Sequence, residues 1–231
     1  MRLPLARYSL ADLIILGGLL LTGAVLAWLY VNLSLAVVFL GLLVFFLFFF
    51  RDPARKVPGE PALVVSPADG KIVEIEQVDN YPLLPGAVLK IGIFMSVFDA
   101  HVNRAPVAGT VATLNYVPGK FYNALRDRAS AQNESNHVVL NCPDIPGRRV
   151  VVKQIAGVLA RRIICRCKLG EHLARGQRFG MIKFGSRTEL YLPYCDQLRV
   201  QVSKGQKVKA GSTVLLRYEP AEGTKELSRE Q

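Results

Sequence analysis

Between Leu13 and Phe50 the chain runs for 38 residues without one charged side chain, and the natural solvent for a stretch that long and that apolar is lipid. As a single helix it would be about 57 Å long at 1.5 Å per residue, nearly twice the roughly 30 Å of a bilayer's hydrocarbon core, so it must fold back. Asn32 and Ser34 are the polar residues near its midpoint, which predicts a turn over 30–34 between two helices and a transmembrane hairpin over residues 1–50. Trp28 and Tyr30 then fall where aromatic side chains gather at a membrane interface. Ser9 and Asp12 have the spacing of a capping box at the first helix start. Arg2 and Arg7 precede the hairpin, and Arg51, Arg55 and Lys56 follow it, so the positive-inside rule puts both ends in the cytoplasm. A cleaved signal peptide has a much shorter apolar region, about 7–15 residues, with no second span behind it. A hairpin buried in a soluble core would show water a polar face, which the run GLLVFFLFFF lacks.

Charge points to the same surface. Of the formal +11, residues 1–50 carry +1 and the remaining residues +10. Such a balance suits nucleic acid or an anionic membrane, and a hairpin that already holds the domain at a bilayer makes the membrane the simpler partner, with no nucleic acid.

Residues 51–61, RDPARKVPGEP, contain three prolines and five charged residues and read as a short stiff linker. Residues 62–231 then show short β-rich runs at 63–65, 71–76, 89–95, 110–116, 138–141, 149–157, 163–167, 188–192 and 208–218. Glycine and proline mark the junctions, as in a sandwich or barrel. Helical signals are confined to 123–131 and 169–175. SPADGKIVEI at 66–75 and VSKGQKVKAGSTVL at 202–215 resemble the half-barrels of lipoyl and biotin carriers, so the expected fold is mostly β, of lipoyl-like or barrel-sandwich type with short helices. A carrier role does not follow, because a biotin-carrier lysine stands between two methionines and this chain offers Met181-Ile182-Lys183. Cys165 and Cys167 share one strand face, but no second close pair completes a metal site, and reduced thiols are expected of Cys142, Cys165, Cys167 and Cys195.

The chemistry concentrates in RGQRFGMIKFGSR at 175–187. Gly-Ser alone is an ordinary turn, but this run accompanies FFRDPARKVP at 49–58, SPADG at 66–70, IFMSVFDAHVNRAPVAGTV at 93–111 and QIAGVLARRIIC at 154–165. Together these blocks resemble the small, membrane-attached class of pyruvoyl-dependent phosphatidylserine decarboxylases, over nearly the whole chain. The resemblance implies self-cleavage between Gly185 and Ser186, giving a β chain of residues 1–185 and an α chain of residues 186–231. Serine's hydroxyl attacks the preceding carbonyl, which glycine leaves unhindered. The ester eliminates, ammonia is lost, and Ser186 becomes a covalent pyruvoyl group that condenses with the substrate amine and acts as an electron sink for decarboxylation. The implied substrate is phosphatidylserine in the membrane and the products are phosphatidylethanolamine and CO2. An oligomer of the αβ unit is compatible with the sequence, as is an ether-lipid, archaetidylserine-type substrate.

The hydroxyl needs a base. The resemblance assigns that role to His101 in DAHVNRAP, with Asp69 of SPADG orienting it in the manner of an Asp-His-Ser triad. Other branches carry a second histidine in this block, where this chain has Asn103 and Arg104. Arg104, with Arg161 and Arg162, is a candidate to bind the lipid's phosphodiester or carboxylate, although surface charge explains Arg161 and Arg162 equally well. Phe121, Tyr122 and Asn123 resemble a family loop near the site, and His137 and His172 read as structural or surface residues. Two rivals are a non-enzymatic membrane adaptor with a lipoyl-like domain and a pyruvoyl decarboxylase acting on a soluble amino acid. The adaptor has no use for a processed Gly-Ser bond, and the soluble-substrate enzyme has no use for an anchor.

Overall fold

The computed structural model describes residues 5, 6, 8, 10–60, 62–158, 162–183 and 185–219. Two helices open it, α1 (Leu10–Tyr30) and α2 (Leu33–Phe49). The break falls inside the expected turn because Asn32, in extended conformation, caps α2 with its side-chain oxygen, accepting from the Leu35 amide at 2.8 Å. The helices pack closely: a Cβ at Gly23 would meet the Phe39 ring at 2.9 Å. Leucine, isoleucine, valine and phenylalanine side chains stay exposed along both helices, and almost no polar face intervenes. At 21 residues α1 is long and apolar enough to cross a membrane, whereas α2, equally apolar, has 17. Arg2, Arg7 and Ser9, which carry the expected capping box and the leading positive charges, lie outside the described residues.

The rest is mostly β with one short helix. In chain order the strands are β1 (Leu63–Val65), β2 (Gly70–Val78), β3 (Val88–Met95), β4 (Val102–Arg104) and β5 (Gly109–Val117). After α3 (Asp127–Gln132) come β6 (Ser135–Asn141), β7 (Arg149–Ile155), β8 (Ile163–Cys165), β9 (His172–Leu173) and β10 (Arg178–Ile182). The chain closes with β11 (Ser186–Pro193), β12 (Leu198–Val200), β13 (Lys207–Val208) and β14 (Val214–Tyr218). Among the described residues the named strands pair antiparallel: an eight-stranded sheet in the order β13-β2-β3-β11-β7-β6-β5-β9, and two three-stranded sheets, β1-β14-β12 and β4-β10-β8. Bulges in β2 and β5 bend the large sheet.

The expected runs at 63–65, 71–76, 89–95, 110–116 and 188–192 correspond to observed strands, the first unchanged and the others with ends moved by at most two residues. Other elements differ. The helical signal at 169–175 yields a turn at Gly170, with φ +78°, followed by β9, because the Gly170 amide bonds the Val111 carbonyl and draws the segment to the sheet edge. The run 208–218 is two strands broken at Gly211, φ +72°. β4, β10 and β12 are too short and irregular in hydropathy to read as strands alone. Residues 51–60 are also more than a spacer. Asp52 is buried in ion pairs with Arg104 (2.7 Å) and Arg178, and Arg55 pairs with Asp69 at 2.5 Å.

β11 lies between β3 and β7, buried on both faces. Leu190 and Leu192 enter the main apolar core with Ile91 and Ile93 of β3. The other face carries charge. Arg187 is completely enclosed, taking the space above Gly92 where a Cβ would meet its guanidinium at 2.6 Å. It ion-pairs with Glu74, and its Nε lies 2.8 Å from Glu189 Oε1 without being aligned for a hydrogen bond. Glu189 Oε2 accepts from Ser130 (3.0 Å) and Tyr191 (2.7 Å). Removing one partner of such a group leaves the other charge buried and uncompensated, which costs about 3–5 kcal/mol. Arg187→Ala is therefore expected to lower unfolding stability by about that amount in a chemical-denaturation titration, far beyond the roughly 0.5 kcal/mol of a surface substitution.

Candidate active site

The strand β10 leads through Lys183 into Gly185, the chain turns, and β11 begins at Ser186. Gly185 adopts φ +60°, a left-handed conformation that glycine enters without steric cost. Its carbonyl projects against Gly157 so closely that a Cβ there would occupy the carbonyl's own volume. Gly157 therefore acts as a flat seat, and the same missing Cβ would stand 3.6 Å from Ala124. The loop containing Phe121–Ala124 is fastened at this place by Asn133, whose amide nitrogen donates to the carbonyls of Tyr122 and Ala156, both at 2.8 Å, while its oxygen accepts from the Tyr122 amide. The family-like loop thus lies beside the Gly185–Ser186 junction. Phe184 lies outside the described residues.

Ser186 is fully buried, directly across the ladder from Met95 of β3, and its hydroxyl reaches Met95 Sδ at 3.5 Å. Thr188, two residues along the same face, also reaches Met95 Sδ at 3.5 Å. Behind it runs a chain of buried amides: Asn136 donates to Gln154 at 3.0 Å, Gln154 to Asn103 at 2.8 Å, and Asn103 to Thr188 at 3.1 Å. A thioether accepts hydrogen bonds weakly and is no base, so the serine is held dry but not activated by Met95.

His101 is also fully buried. Its carbonyl accepts the Ile182 amide at 3.2 Å, which sets it beside β10 just ahead of the junction. Its Nδ1 lies 2.8 Å from the Asp99 carbonyl. A carbonyl only accepts, so Nδ1 carries the hydrogen and Nε2 presents a bare lone pair. Nε2 is buried without a hydrogen-bond partner. Burial lowers this imidazole to about 4, against a smaller upward pull from the Asp99 carbonyl, so it stays neutral at physiological pH. Phe49 packs on its ring, centroids 4.3 Å apart.

Two expectations meet a different geometry. Asp69 does not bond His101; its carboxylate is taken by Arg55 at 2.5 Å and by the Ala210 amide at 2.8 Å, and the Asp99 carbonyl orients the imidazole instead. Arg104, expected at the substrate, is buried, with its guanidinium occupied by Asp52 and the carbonyls of Pro53 and Gly176. Strand alternation turns Arg104 away from the face on which Asn103 joins the amide chain. Arg162 is exposed, and Arg161 lies outside the described residues. His137 is half-buried, its Nδ1 3.0 Å from the Tyr81 hydroxyl, and His172 is exposed. Gly157, Met95, Gln154 and Thr188 escape sequence reasoning, and Asn103 entered it only as the residue in place of a second histidine; all but Thr188 stand inside the quoted blocks, but nothing local says what they touch.

The hairpin reaches this site. Phe46, Phe49 and Phe50 form one apolar cluster with Val102, Ile164 and Met181, and Lys183 pairs with Asp12 of α1 at 2.6 Å.

The phosphatidylserine decarboxylase family profile matches residues 42–216. A phosphatidylserine decarboxylase proenzyme of Rhodopirellula baltica is 49% identical over 218 residues, 94% of this chain and 89% of the relative. The proenzyme of that name from Ralstonia nicotianae is 54% identical over 174 residues, covering 75% of this chain and 79% of its own, and that of Desulfotalea psychrophila 46% over 181 residues, 78% and 83%.

His101 and His137 are both lowered to about 4, chiefly by burial, from an ordinary value near 6.5. The folded chain thus binds fewer protons than the unfolded chain between those values, and the stability fully present above about pH 6.5 is lost as pH falls towards 4. Denaturation midpoints are expected to fall steadily from pH 7.5 to pH 5, with a shallower fall in His137→Asn. Midpoints unchanged across that window would contradict the burial of these rings.

Proposed function

This chain belongs to the phosphatidylserine decarboxylase family, and on that premise we propose that it cuts its own backbone between Gly185 and Ser186 and decarboxylates phosphatidylserine at the surface of the cell membrane. It is a self-processing carboxy-lyase of phospholipid biosynthesis, and the precursor yields a β chain, 1–185, and an α chain, 186–231. The observation that carries the cleavage site is the junction itself: a left-handed glycine with its carbonyl seated on Gly157, followed at once by a fully buried serine.

For the cut, Ser186 Oγ bonds to the Gly185 carbonyl carbon, the carbon–nitrogen bond breaks, and the Ser186 nitrogen takes up a proton as the ester forms. The Gly157 seat restrains the carbonyl, so the hydroxyl has only to rotate off Met95. We read His101 as the base, because its Nε2 is unprotonated, buried and unengaged. A strongly lowered imidazole is a weak base, which suits a single slow turnover better than repeated fast catalysis.

The residues around Ser186 fit a pyruvoyl group, since residue 186 is fully buried, Met95 and Thr188 are its neighbours, and the ammonium of Lys183 is engaged by Asp12 at 2.6 Å. When formed, that group supplies a ketone that draws electrons from the substrate as CO2 leaves. The protein's part is to hold residue 186 at the head of a central strand, exclude water, and keep Asn103 and Thr188 fixed beneath it. Asp69 and Arg104 act here as clamps. Asp69 joins the Arg55 strap to Ala210, one on each product chain, and Arg104 anchors Asp52.

Membrane anchoring rests on α1 and α2, whose exposed apolar surfaces match a bilayer. With Arg51, Arg55 and Lys56 just beyond α2, the catalytic domain faces the cytoplasm. Phosphatidylserine reaches the site from the bilayer, with the junction of hairpin and domain at Phe49, Phe50 and Met181 beside it.

Denaturing electrophoresis and intact mass test the cut. The wild-type chain is expected as two polypeptides, the smaller blocked at residue 186, and Ser186→Ala as a single chain near 25.5 kDa. His101→Ala should accumulate precursor, with cleavage slowed by about 10²–10⁴. Active wild-type protein with an unbroken chain would refute the proposal, and rapid cleavage in His101→Ala would remove that residue from the step.

A second measurement probes the seat. Gly157→Ala, whose Cβ would overlap the Gly185 backbone carbonyl, should push that carbonyl out of line and stop or severely slow cleavage, with a lower thermal midpoint than Ser186→Ala but a cooperative unfolding transition. Normal processing in Gly157→Ala would show that the seat has no part in the reaction.

A further inference from the structure

The turn over residues 96–100 joins β3 to β4, and so connects Met95, opposite Ser186, to His101. It is firmly built. The Asp99 carboxylate accepts from the Ser96 amide at 2.8 Å and the Ser96 hydroxyl at 2.6 Å, and the Asp99 amide returns a bond to the Ser96 carbonyl at 3.0 Å. At its tip stands Phe98, 65% exposed. A well-ordered turn that holds a phenyl ring outside the core gains nothing from the fold itself, and burying such a ring is worth a large share of its transfer energy.

What lies beside the ring identifies its medium. Phe98 meets Phe45 of α2 edge-on, centroids 6.3 Å apart. Phe45 is four residues before the helix end, about 6 Å along the axis, and belongs to the exposed apolar surface of the hairpin. Arg51 fixes the arrangement. Its guanidinium donates to the Phe98 carbonyl at 2.6 Å and to the Phe48 carbonyl at 2.9 Å, and its central carbon lies 3.8 Å over the Phe48 ring. An arginine beyond the last helical turn, with aromatic rings on its apolar side, has the layout of a membrane–water interface.

We propose that the turn 96–100 is an interfacial tip: Phe98 enters the bilayer alongside the last turn of α2, Arg51 lies at headgroup level, and the site between Met95 and His101 is thereby held at the depth of the substrate's headgroup. This rests on the reading of the hairpin as membrane-inserted. It adds a second contact, in the catalytic domain, that sets orientation rather than attachment.

The test uses the full chain in phosphatidylcholine–phosphatidylserine vesicles containing brominated lipids, with tryptophan fluorescence as the readout. Trp28, the single native tryptophan, reports the hairpin, and Phe98→Trp in a Trp28→Phe background reports the tip. Quenching of both by bromines placed near the headgroup end of the acyl chains is the expected result. Quenching of Trp28 alone, with residue 98 open to aqueous acrylamide, would overturn the tip and leave the hairpin standing; quenching of neither would overturn both. In a second arm, Phe98→Glu should self-cleave normally and decarboxylate a dispersed short-chain phosphatidylserine at the wild-type rate, yet lose roughly tenfold in turnover on vesicles. Unchanged turnover on vesicles would refute the proposal.

Discussion

A carbonyl can be positioned without a hydrogen bond if it is pressed against a surface that cannot yield, and Gly157 offers Gly185 such a surface. The contact depends on three things at once: the absence of a side chain at 157, the left-handed turn at 185, and the end of β7 lying beside the start of β11. Asn133 holds the Phe121–Ala124 loop against the end of β7 by binding Tyr122 and Ala156 together. Remove the seat and the Gly185–Ser186 peptide, the proposed scissile bond, becomes an ordinary loop bond next to a buried serine. The neighbouring strands, the fastened loop and the amide chain behind Thr188 are therefore best understood as the support for one peptide group.

β11 carries this burden because it is constrained on every side. Hydrogen bonds join it to β3 and β7, leucines fill one face, and the other holds Arg187 and Glu189. Buried charges of this kind seldom add stability over an apolar core, but they tolerate few alternative arrangements. A one-residue slip would put Ser186 on the charged face and Arg187 against Met95, so register and site position are specified together. The hairpin reinforces the same strand end from outside, through Phe49 on His101 and Asp12 on Lys183.

The apolar hairpin was readable because hydropathy over 13–50 needs no tertiary information, and Asn32 marked its break. The family was readable through a chain-length resemblance, and Ser186 is singled out by that resemblance, not by Gly-Ser as a dipeptide. The partners of the charged residues were not readable. Asp69 sits near His101 in a linear motif comparison, yet its carboxylate is drawn to Arg55 on the strap and to an amide at residue 210. Arg104 likewise found its counter-ion in Asp52, inside a segment that composition alone described as a linker. The short strands β4 and β10 failed to register because their pairing, not their periodicity, makes them strands. Sequence names the groups that can react or carry charge; which of them meet is decided by contacts between segments far apart in the chain.

On the proposed cut between Gly185 and Ser186, the central place of β11 also changes what kind of reaction refolding is. Before the cut, β11 reaches its slot between β3 and β7 as part of one chain, and its search is intramolecular. A cut there would leave the same strand, together with β12, β13 and β14, on a separate polypeptide that shares no covalent bond with the sheets it completes. While folded, interleaving on both edges of β11 and the pairing of β14 with β1 keep the two pieces together. Once unfolded, they must meet again by diffusion, so recovery becomes second order and depends on concentration. An uncut chain would therefore refold by a first-order search at any dilution, whereas the cut enzyme at low concentration would not, and its working life would be governed by how slowly it opens.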